Sequence, residues 1–347
     1  NIRAVTMKAI ILSDFGGPSQ LRLEDVPTPE AGAHDVLVQV EAAGVCHHDL
    51  LHRAGKLAGA PKGVILGHEV AGRVVETGAA VTTLRVGDRI TGYQRRFCGQ
   101  CRDCLRGRQD LCRAVSLPAV DTEGAYAQYI RLPAVSAIRI PDNVTFQQAA
   151  LASCPIGTAM RALVSQAGLT AGETVLVNGA SGGLGVHQIQ IARALGAQVL
   201  AVTGDPAKAS KLEELGASSV IVAPDGNYSA AVWNQTGKRG VDVAMENLGL
   251  TLPQTLRATG MGGRIVVLGN IAPAPVEVSP GLLIGRRLRV QGSGSATLDE
   301  VSQSLAMISA GLVRPQIDRV MPFTQAAQAH ALLEARQVNG RIILRGW

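Results

Sequence analysis

Aromatic side chains make up only 3% of this 347-residue sequence, too few to build a base-stacking platform. The formal net charge is +6, yet the basic residues are scattered, apart from Arg95-Arg96 and the 102–113 stretch. Nucleic-acid binding is therefore not expected, and the mild excess of cations reads as a surface suited to anionic ligands. Long uncharged apolar runs are missing too. None reaches the ~18 residues of a membrane-spanning helix, so no membrane partner is expected. The opening Asn1-Ile-Arg-Ala-Val-Thr6 has no apolar core and does not read as a signal peptide. Cysteine is scarce and uneven: of six, four fall within the 98–112 stretch. In a long chain without a secretion signal, such clustering favours metal over disulfides, and a reducing, cytoplasmic setting is the expectation.

What remains is 46% hydrophobic and 17% charged, which suits a globular chain of about two domains. Residues 7 to 150 read as β-rich. Short apolar alternations such as Asp35-Val-Leu-Val-Gln-Val40 and Val70-Ala-Gly-Arg-Val-Val75 are punctuated by Gly and Pro. From about 156 the texture changes. A buried strand at Thr174-Val-Leu-Val-Asn178 is followed by a Gly-rich turn and a helical pattern over 185–195. Strand Gln198–Val202, helix 206–215 and strands Ser219–Val222, Val241–Met245, Arg264–Leu268 and Leu288–Gln291 follow. Strands alternating with helices predict a parallel, doubly wound sheet and the α/β class. A helix at about 298–311 and a few short strands close the chain, too few for a third domain, and are expected to pack back on the first.

The Gly-rich turn is Gly179-Ala180-Ser181-Gly182-Gly183-Leu184-Gly185. Ala180-x-Gly182-x-x-Gly185 is a variant of the Rossmann fingerprint, in which glycines let the backbone approach a pyrophosphate and a helix N-terminus offers it free N–H groups. Taken alone the turn is no more than a tight strand–helix connection. Between a strand and a helix, with a second such unit after it, it predicts dinucleotide binding. At the end of the next strand, Thr203 stands where an Asp or Glu would accept the ribose hydroxyls of NAD. Thr203 lacks the carboxylate that repels a 2′-phosphate and Lys208 is in reach of one, so NADP(H) is favoured over NAD(H). Asp205 argues the other way if it turns inward, and Lys208 reads equally well as a solvated helix lysine.

Cys98-x-x-Cys101-x-x-Cys104-x7-Cys112 supplies four thiolates in one loop. Zinc takes four tetrahedral ligands in a structural site and binds soft thiolates tightly. Four ligands leave no place for substrate, so this site is expected to clamp the loop. A second set is dispersed: Gly44-Val-Cys46-His-His-Asp49, Gly67-His68-Glu69 and, much later, Cys154. Cys46, His68 and Cys154 would make a Cys2His site with one open position, as in a catalytic zinc. Spacing does not establish this, because a lone Cys154 is usually a small core residue and a lone His68 a loop histidine.

Those two segments, Gly87-Asp88-Arg89, the Cys98–Cys112 loop and Gly182-Gly-Leu-Gly185 together resemble the zinc-containing medium-chain dehydrogenase/reductase family, that of alcohol dehydrogenase. The likeness runs from about Met7 to Trp347. It implies a GroES-like β-rich catalytic domain, residues 1–155 and 295–347, interrupted by a Rossmann cofactor domain, residues 156–294. It implies Cys46, His68 and Cys154 as catalytic zinc ligands, and Glu69 as an acidic residue able to enter the metal's shell. Asp49 becomes the partner that fixes the ligand histidine's tautomer. With a structural zinc on Cys98, Cys101, Cys104 and Cys112, two zinc ions per chain are expected. Thr158 and Arg341 match positions contacting the nicotinamide end and the pyrophosphate, and Gly269 and Asn270 are carried over as cofactor-binding. A homodimer or homotetramer acting on a small molecule is implied as well.

One departure matters. Alcohol dehydrogenases usually carry Ser or Thr two residues after the first zinc cysteine, where the hydroxyl passes the alcohol proton to solvent. Here His48 stands there, and the relay histidine expected five residues after that cysteine is Leu51. Either His48 moves the proton itself or it lines the pocket wall, with Tyr93, Gln94 and Leu117 as further wall candidates. The leading expectation is hydride transfer between a nicotinamide cofactor and an alcohol, aldehyde or ketone. The alternative is NADPH-dependent reduction of an activated C=C bond, since Asp49-Leu-Leu51 and Met261–Asn270 also look like zinc-containing acryloyl-CoA reductases. A non-enzymatic nucleotide sensor would be expected to carry damaged zinc ligands or a damaged cofactor turn, and both are intact.

Overall fold

Valine- and alanine-rich alternation in the first 160 residues gives short, strongly paired strands, and the computed structural model, described over residues 5–114 and 124–347, divides into two compact units. The first comprises Asn1–Gly157, Ser295–Ala310 and Ile317–Trp347; the second comprises Thr158–Gly294 and Gly311–Gln316. Leu117 lies outside the described residues. Among the described residues no helix is long and apolar enough to cross a membrane.

The first unit holds strands β1 (Thr6–Leu12), β2 (Leu21–Pro27), β3 (Asp35–Val45), β4 (Val64–Ile65), β5 (Glu69–Thr77), β6 (Arg89–Gly92), β7 (Tyr129–Pro133) and β8 (Ala137–Arg139). Antiparallel β3 and β5 are its backbone, with Val38 opposite Val74 and Gly44 opposite Glu69. Inward-facing Val36, Val38, Val40, Val70, Val74, Ile90, Ile130 and Leu132 are buried in one core. That is the alternation expected of strands with one face on a core. Cys46 follows the end of β3 and Glu69 opens β5, so the most extensively paired strands of the sheet also fix these candidate donors.

The second unit contains β9 (Thr174–Val177), β10 (Gln198–Thr203), β11 (Ser219–Val222), β12 (Val241–Glu246), β13 (Thr259–Val267) and β14 (Arg289–Gly292). Its sheet is parallel, in the order β11-β10-β9-β12-β13-β14. The order reverses direction at β9, and ligands of such sheets bind at that switch point, outside the carboxyl ends of the strands. β13 begins five residues before the expected Arg264. Gly260-Met-Gly-Gly263 reads as a turn, but the strand absorbs it as an irregularity between the Val241 and Val243 pairings. Gly311–Gln316 joins this unit through helix Gly185–Ala194. Gln190 exchanges hydrogen bonds with the Arg314 backbone at 2.8 and 3.1 Å, and His187 Nε2 accepts from Gln316 N–H at 2.9 Å. The last two strands, β15 (Ile317–Met321) and β16 (Arg341–Leu344), complete the first unit, with β16 antiparallel to β3.

Candidate active site

β3 ends at Val45, and Cys46 is the N-cap of helix His47–Arg53. Asp49 turns back to accept the Cys46 N–H at 3.0 Å, so the helix start itself fixes the cysteine. The other Asp49 oxygen lies 3.1 Å from His68 Nδ1. His68 follows Gly67, whose φ of +96° is one that L side chains rarely adopt, and a Cβ there would meet the Tyr126 ring at 2.5 Å. Glu69 opens β5 and is fully buried. It fits because its partner across the ladder is Gly44, where a side chain would strike Glu69 Oε2. Cys154 comes from a π-helical turn, Ala152–Ile156. Pro155 inside it has no N–H to give the α-helical ladder, and the next bond slips to Ile156 N–H on Leu151 O at 3.2 Å.

These elements bring one donor atom each from Cys46, His68, Glu69 and Cys154 to within 4.8 Å of one another. Arg341, the first residue of β16, closes the cluster. Its Nη2 is 3.0 Å from Glu69 Oε1, 3.3 Å from Cys46 Sγ and 4.0 Å from Cys154 Sγ. The Cys154 thiol, then Arg341 and His68, hold Cys46 well below the usual thiol range despite burial. The hydrogen bond that Cys154 donates to Cys46, together with burial, pushes Cys154 up. Burial raises Glu69 to about 7 even with Arg341 beside it. For His68 burial opposes protonation, but Asp49 outweighs it and holds the imidazole pKa well above its ordinary value. His48 is half-buried, its ring edge-on to His68 with centroids 5.3 Å apart, and burial and then His68 lower its pKa. Leu51 is also half-buried. Tyr93 is committed elsewhere, its hydroxyl donating to Ala296 O at 2.6 Å, and the Gln94 N–H donates to Ser153 Oγ at 3.0 Å.

Cys98, Cys101, Cys104 and Cys112 also bring their sulfurs within 4.8 Å, and all are free thiols. Backbone N–H groups of Gln100 and Cys101 lower the Cys98 thiol to about 6, while burial raises Cys104 to about 12.

In the second unit the turn leaves β9 through Asn178 and Gly179. Ala180 N–H bonds to Val202 O at 3.0 Å, Gly182 N–H to Gly179 O at 3.0 Å, and the helix starts at Gly185 with Ser181, Gly183 and Leu184 between. Thr203 Oγ1 accepts the Asp205 N–H at 3.2 Å, and Asp205 Oδ1 accepts the Ala207 N–H at 3.0 Å, capping the short helix Pro206–Lys208. Asp205 is thus employed as a cap. Gly269 and Asn270 follow β13, with Gly269 N–H on Glu246 O at 3.2 Å, and Thr158 lies in helix Gly157–Met160.

Sequence reading missed the buried residues that brace these loops. Glu246, fully buried at the end of β12, accepts from Asn178 Nδ2 at 2.7 Å, Thr251 Oγ1 at 2.8 Å and Gly249 N–H at 2.8 Å, and from Thr255 Oγ1. A glutamate inside the apolar run Val241-Asp-Val-Ala-Met-Glu246 was the available signal.

Residues 32–142 match the model for the alcohol dehydrogenase GroES-like domain, and residues 183–310 that for zinc-binding dehydrogenase. An acryloyl-coenzyme A reductase of Sulfurisphaera tokodaii is 30% identical, covering 98% of this chain and 100% of its own. The chain belongs to the zinc-containing medium-chain dehydrogenase/reductase family. As a member it is an oxidoreductase with a GroES-like and a Rossmann-type domain, of the α/β class. An alcohol dehydrogenase of Geobacillus stearothermophilus is 31% identical, covering 98% of this chain and 99% of the relative. The solved structure of an NAD-dependent alcohol dehydrogenase is 31% identical, with a TM-score of 0.93 over 98% of this chain and 100% of that one.

The donors of this family member suit its metal. Two thiols, one imidazole and one carboxylate converge in a buried pocket, and Glu69 Oε2 has no hydrogen-bond partner among the described residues. An unpaired buried carboxylate oxygen is costly unless a cation offsets it, and soft sulfur with imidazole is a donor set zinc prefers.

Proposed function

We propose that this oxidoreductase reduces C=C bonds conjugated to a carbonyl or thioester, using NADPH. One observation carries the choice. The two positions at which alcohol dehydrogenases pass a proton outward hold a half-buried imidazole, His48, packed against His68, and an aliphatic side chain, Leu51. Conjugate reduction needs no proton to leave a hydroxyl oxygen: hydride goes to the β-carbon and a proton from solvent to the α-carbon. Zinc held by Cys46, His68 and Cys154 would supply a Lewis acid that polarises the substrate oxygen, and the reduced nicotinamide the hydride. Asp49 would orient His68, while Arg341 would balance the negative charge of the thiols and Glu69. The similarity to an acryloyl-coenzyme A reductase supports the reading.

The second reading is alcohol–carbonyl interconversion with His48 moving the proton. The similarity to alcohol dehydrogenases favours it. One assay separates the two. NADPH consumption at 340 nm is followed with enoyl-CoA thioesters, enones, saturated ketones and aldehydes, and NADP+ reduction with alcohols. Enoyl or enone substrates are expected to exceed ketones by about 100-fold in kcat/KM, the scale of about 3 kcal/mol of differential transition-state binding. Faster turnover of ketones or alcohols would hand the assignment to the second reading. In the same assay NADPH should outperform NADH, a preference supported by the absence of a carboxylate at Thr203 and by Asp205 acting as a helix cap. A higher kcat/KM with NADH would refute it.

Two zinc ions per chain and a reducing, cytoplasmic setting are part of the proposal, supported by two four-residue donor clusters and six free cysteines. So is a homodimer or homotetramer. β14 ends the six-strand order and leaves Val290 exposed on an open edge, which invites pairing with a symmetry mate. Light scattering is expected to return two or four chain masses, and a monomer at micromolar concentration would exclude this.

A further inference from the structure

Behind His68 the first unit holds a chain of buried polar groups reaching away from the candidate metal. Asp49 accepts from Cys46 N–H at 3.0 Å and faces His68 Nδ1 at 3.1 Å. Its Oδ2 also accepts the Tyr126 hydroxyl at 3.1 Å. Tyr126 Oη in turn lies 3.4 Å from His330 Nε2, on helix Ala326–Glu334. Tyr126 and His330 are fully buried, and Asp49 is 1% exposed.

The protons in this chain can be assigned. The phenol has one hydrogen, and an ionised carboxylate at 3.1 Å claims it over a neutral imidazole at 3.4 Å. His330 therefore donates from Nε2–H to the phenol oxygen. Its Nδ1 then carries a lone pair only, which agrees with that atom being buried without a hydrogen-bond partner among the described residues. Tyr126 itself is fixed by its backbone, with N–H on Leu66 O at 2.9 Å and its carbonyl accepting from Ile10 N–H at 2.8 Å. Asp49 thus has donors from three directions, and only one orientation of its carboxylate satisfies them all. That orientation keeps a proton of His68 on Nδ1, so that Nε2, on the side of Cys46 and Glu69, is the nitrogen that would give its lone pair to a metal.

We propose that Tyr126 and His330 are positioning residues for the metal, acting on His68 through Asp49. The inference rests on the reading of Cys46, His68 and Cys154 as zinc ligands. Groups that orient a metal's histidine commonly change metal affinity by 10–100-fold when removed. Tyr126 acts one bond further out, so the low end applies.

Release of zinc to a chromogenic chelator tests this on the whole protein, because the Cys98–Cys112 cluster serves as an internal reference. Tyr126→Phe keeps the ring that packs on Gly67 and removes only the hydroxyl. It should speed release from one site by about 10-fold while the other releases at the wild-type rate. His330→Leu should give a smaller acceleration of the same phase, and His330→Gln, which retains an N–H donor, should restore much of it. Melting after chelation should differ little between Tyr126→Phe and wild type, since a merely structural role would lower the melting temperature of the variant even without metal. Unchanged release rates in Tyr126→Phe, or both phases accelerating together, would overturn the proposal. Wild-type protein that retains no zinc beyond the four-cysteine cluster would instead overturn the ligand reading beneath it.

Discussion

Cys46→Ser is expected to lower turnover by about 1000-fold or more while the protein still folds. A Lewis acid at a reacting oxygen is worth several kcal/mol, and each ~1.4 kcal/mol is tenfold in rate. Serine replaces a thiol held below its usual range by Cys154, Arg341 and His68 with a hydroxyl that does not ionise there and sits poorly on a soft metal. The fold should survive because serine is close to cysteine in size and Cys46 is held through its backbone, by Asp49 and the end of β3. Metal analysis should show one zinc fewer per chain, and circular dichroism should be unchanged. Normal turnover in this variant would remove Cys46 from the ligand set.

Cys101→Ser should do the opposite, with a large loss of stability. The 98–112 stretch has only two short helical turns, Arg102–Leu105 and Gln109–Leu111, and its apolar side chains Leu105 and Leu111 are 75% and 49% exposed. Sulfur is what this lobe has in place of a core. Structural zinc adds its binding free energy directly to folding, so loss of one ligand should cost several kcal/mol and lower Tm by roughly 10 °C. Calorimetry with and without a chelator checks this: the chelator should move wild type toward the variant and leave the variant almost unmoved. A variant that melts like wild type and keeps both zinc ions would show that the lobe needs no metal.

Residue groupings were legible in the sequence where they are local. Four cysteines within one loop, or glycines between a strand and a helix, announce themselves because the residues that act together are neighbours in the chain. Gly44 was visible only as part of a motif; its reason, room for the Glu69 carboxylate, is a property of the β3–β5 register. Arg341 was assigned to the pyrophosphate by likeness; that its guanidinium also faces Glu69, Cys46 and Cys154 could not be read from the chain. A contact across 295 positions leaves no periodicity to find. Tyr126 and His330 stayed hidden for the same reason, since each reads as an ordinary core residue until the fold sets Asp49 against the phenol. The early start of β13 was missed because glycines signal turns, and only pairing with β12 could override that signal.

The lateness of Arg341 has a consequence for the nascent chain. Cys46, Glu69 and Cys154 leave the ribosome long before the strand that delivers their counter-cation, and β16 must still be made before it can pair with β3. The second unit is largely complete by then, since most of it lies before Gly294. Domains tend to fold as they emerge, so the second unit can close while the donor cluster still lacks its last strand. Until that strand arrives, Cys46 and Cys154 lack the guanidinium that faces them in the finished fold.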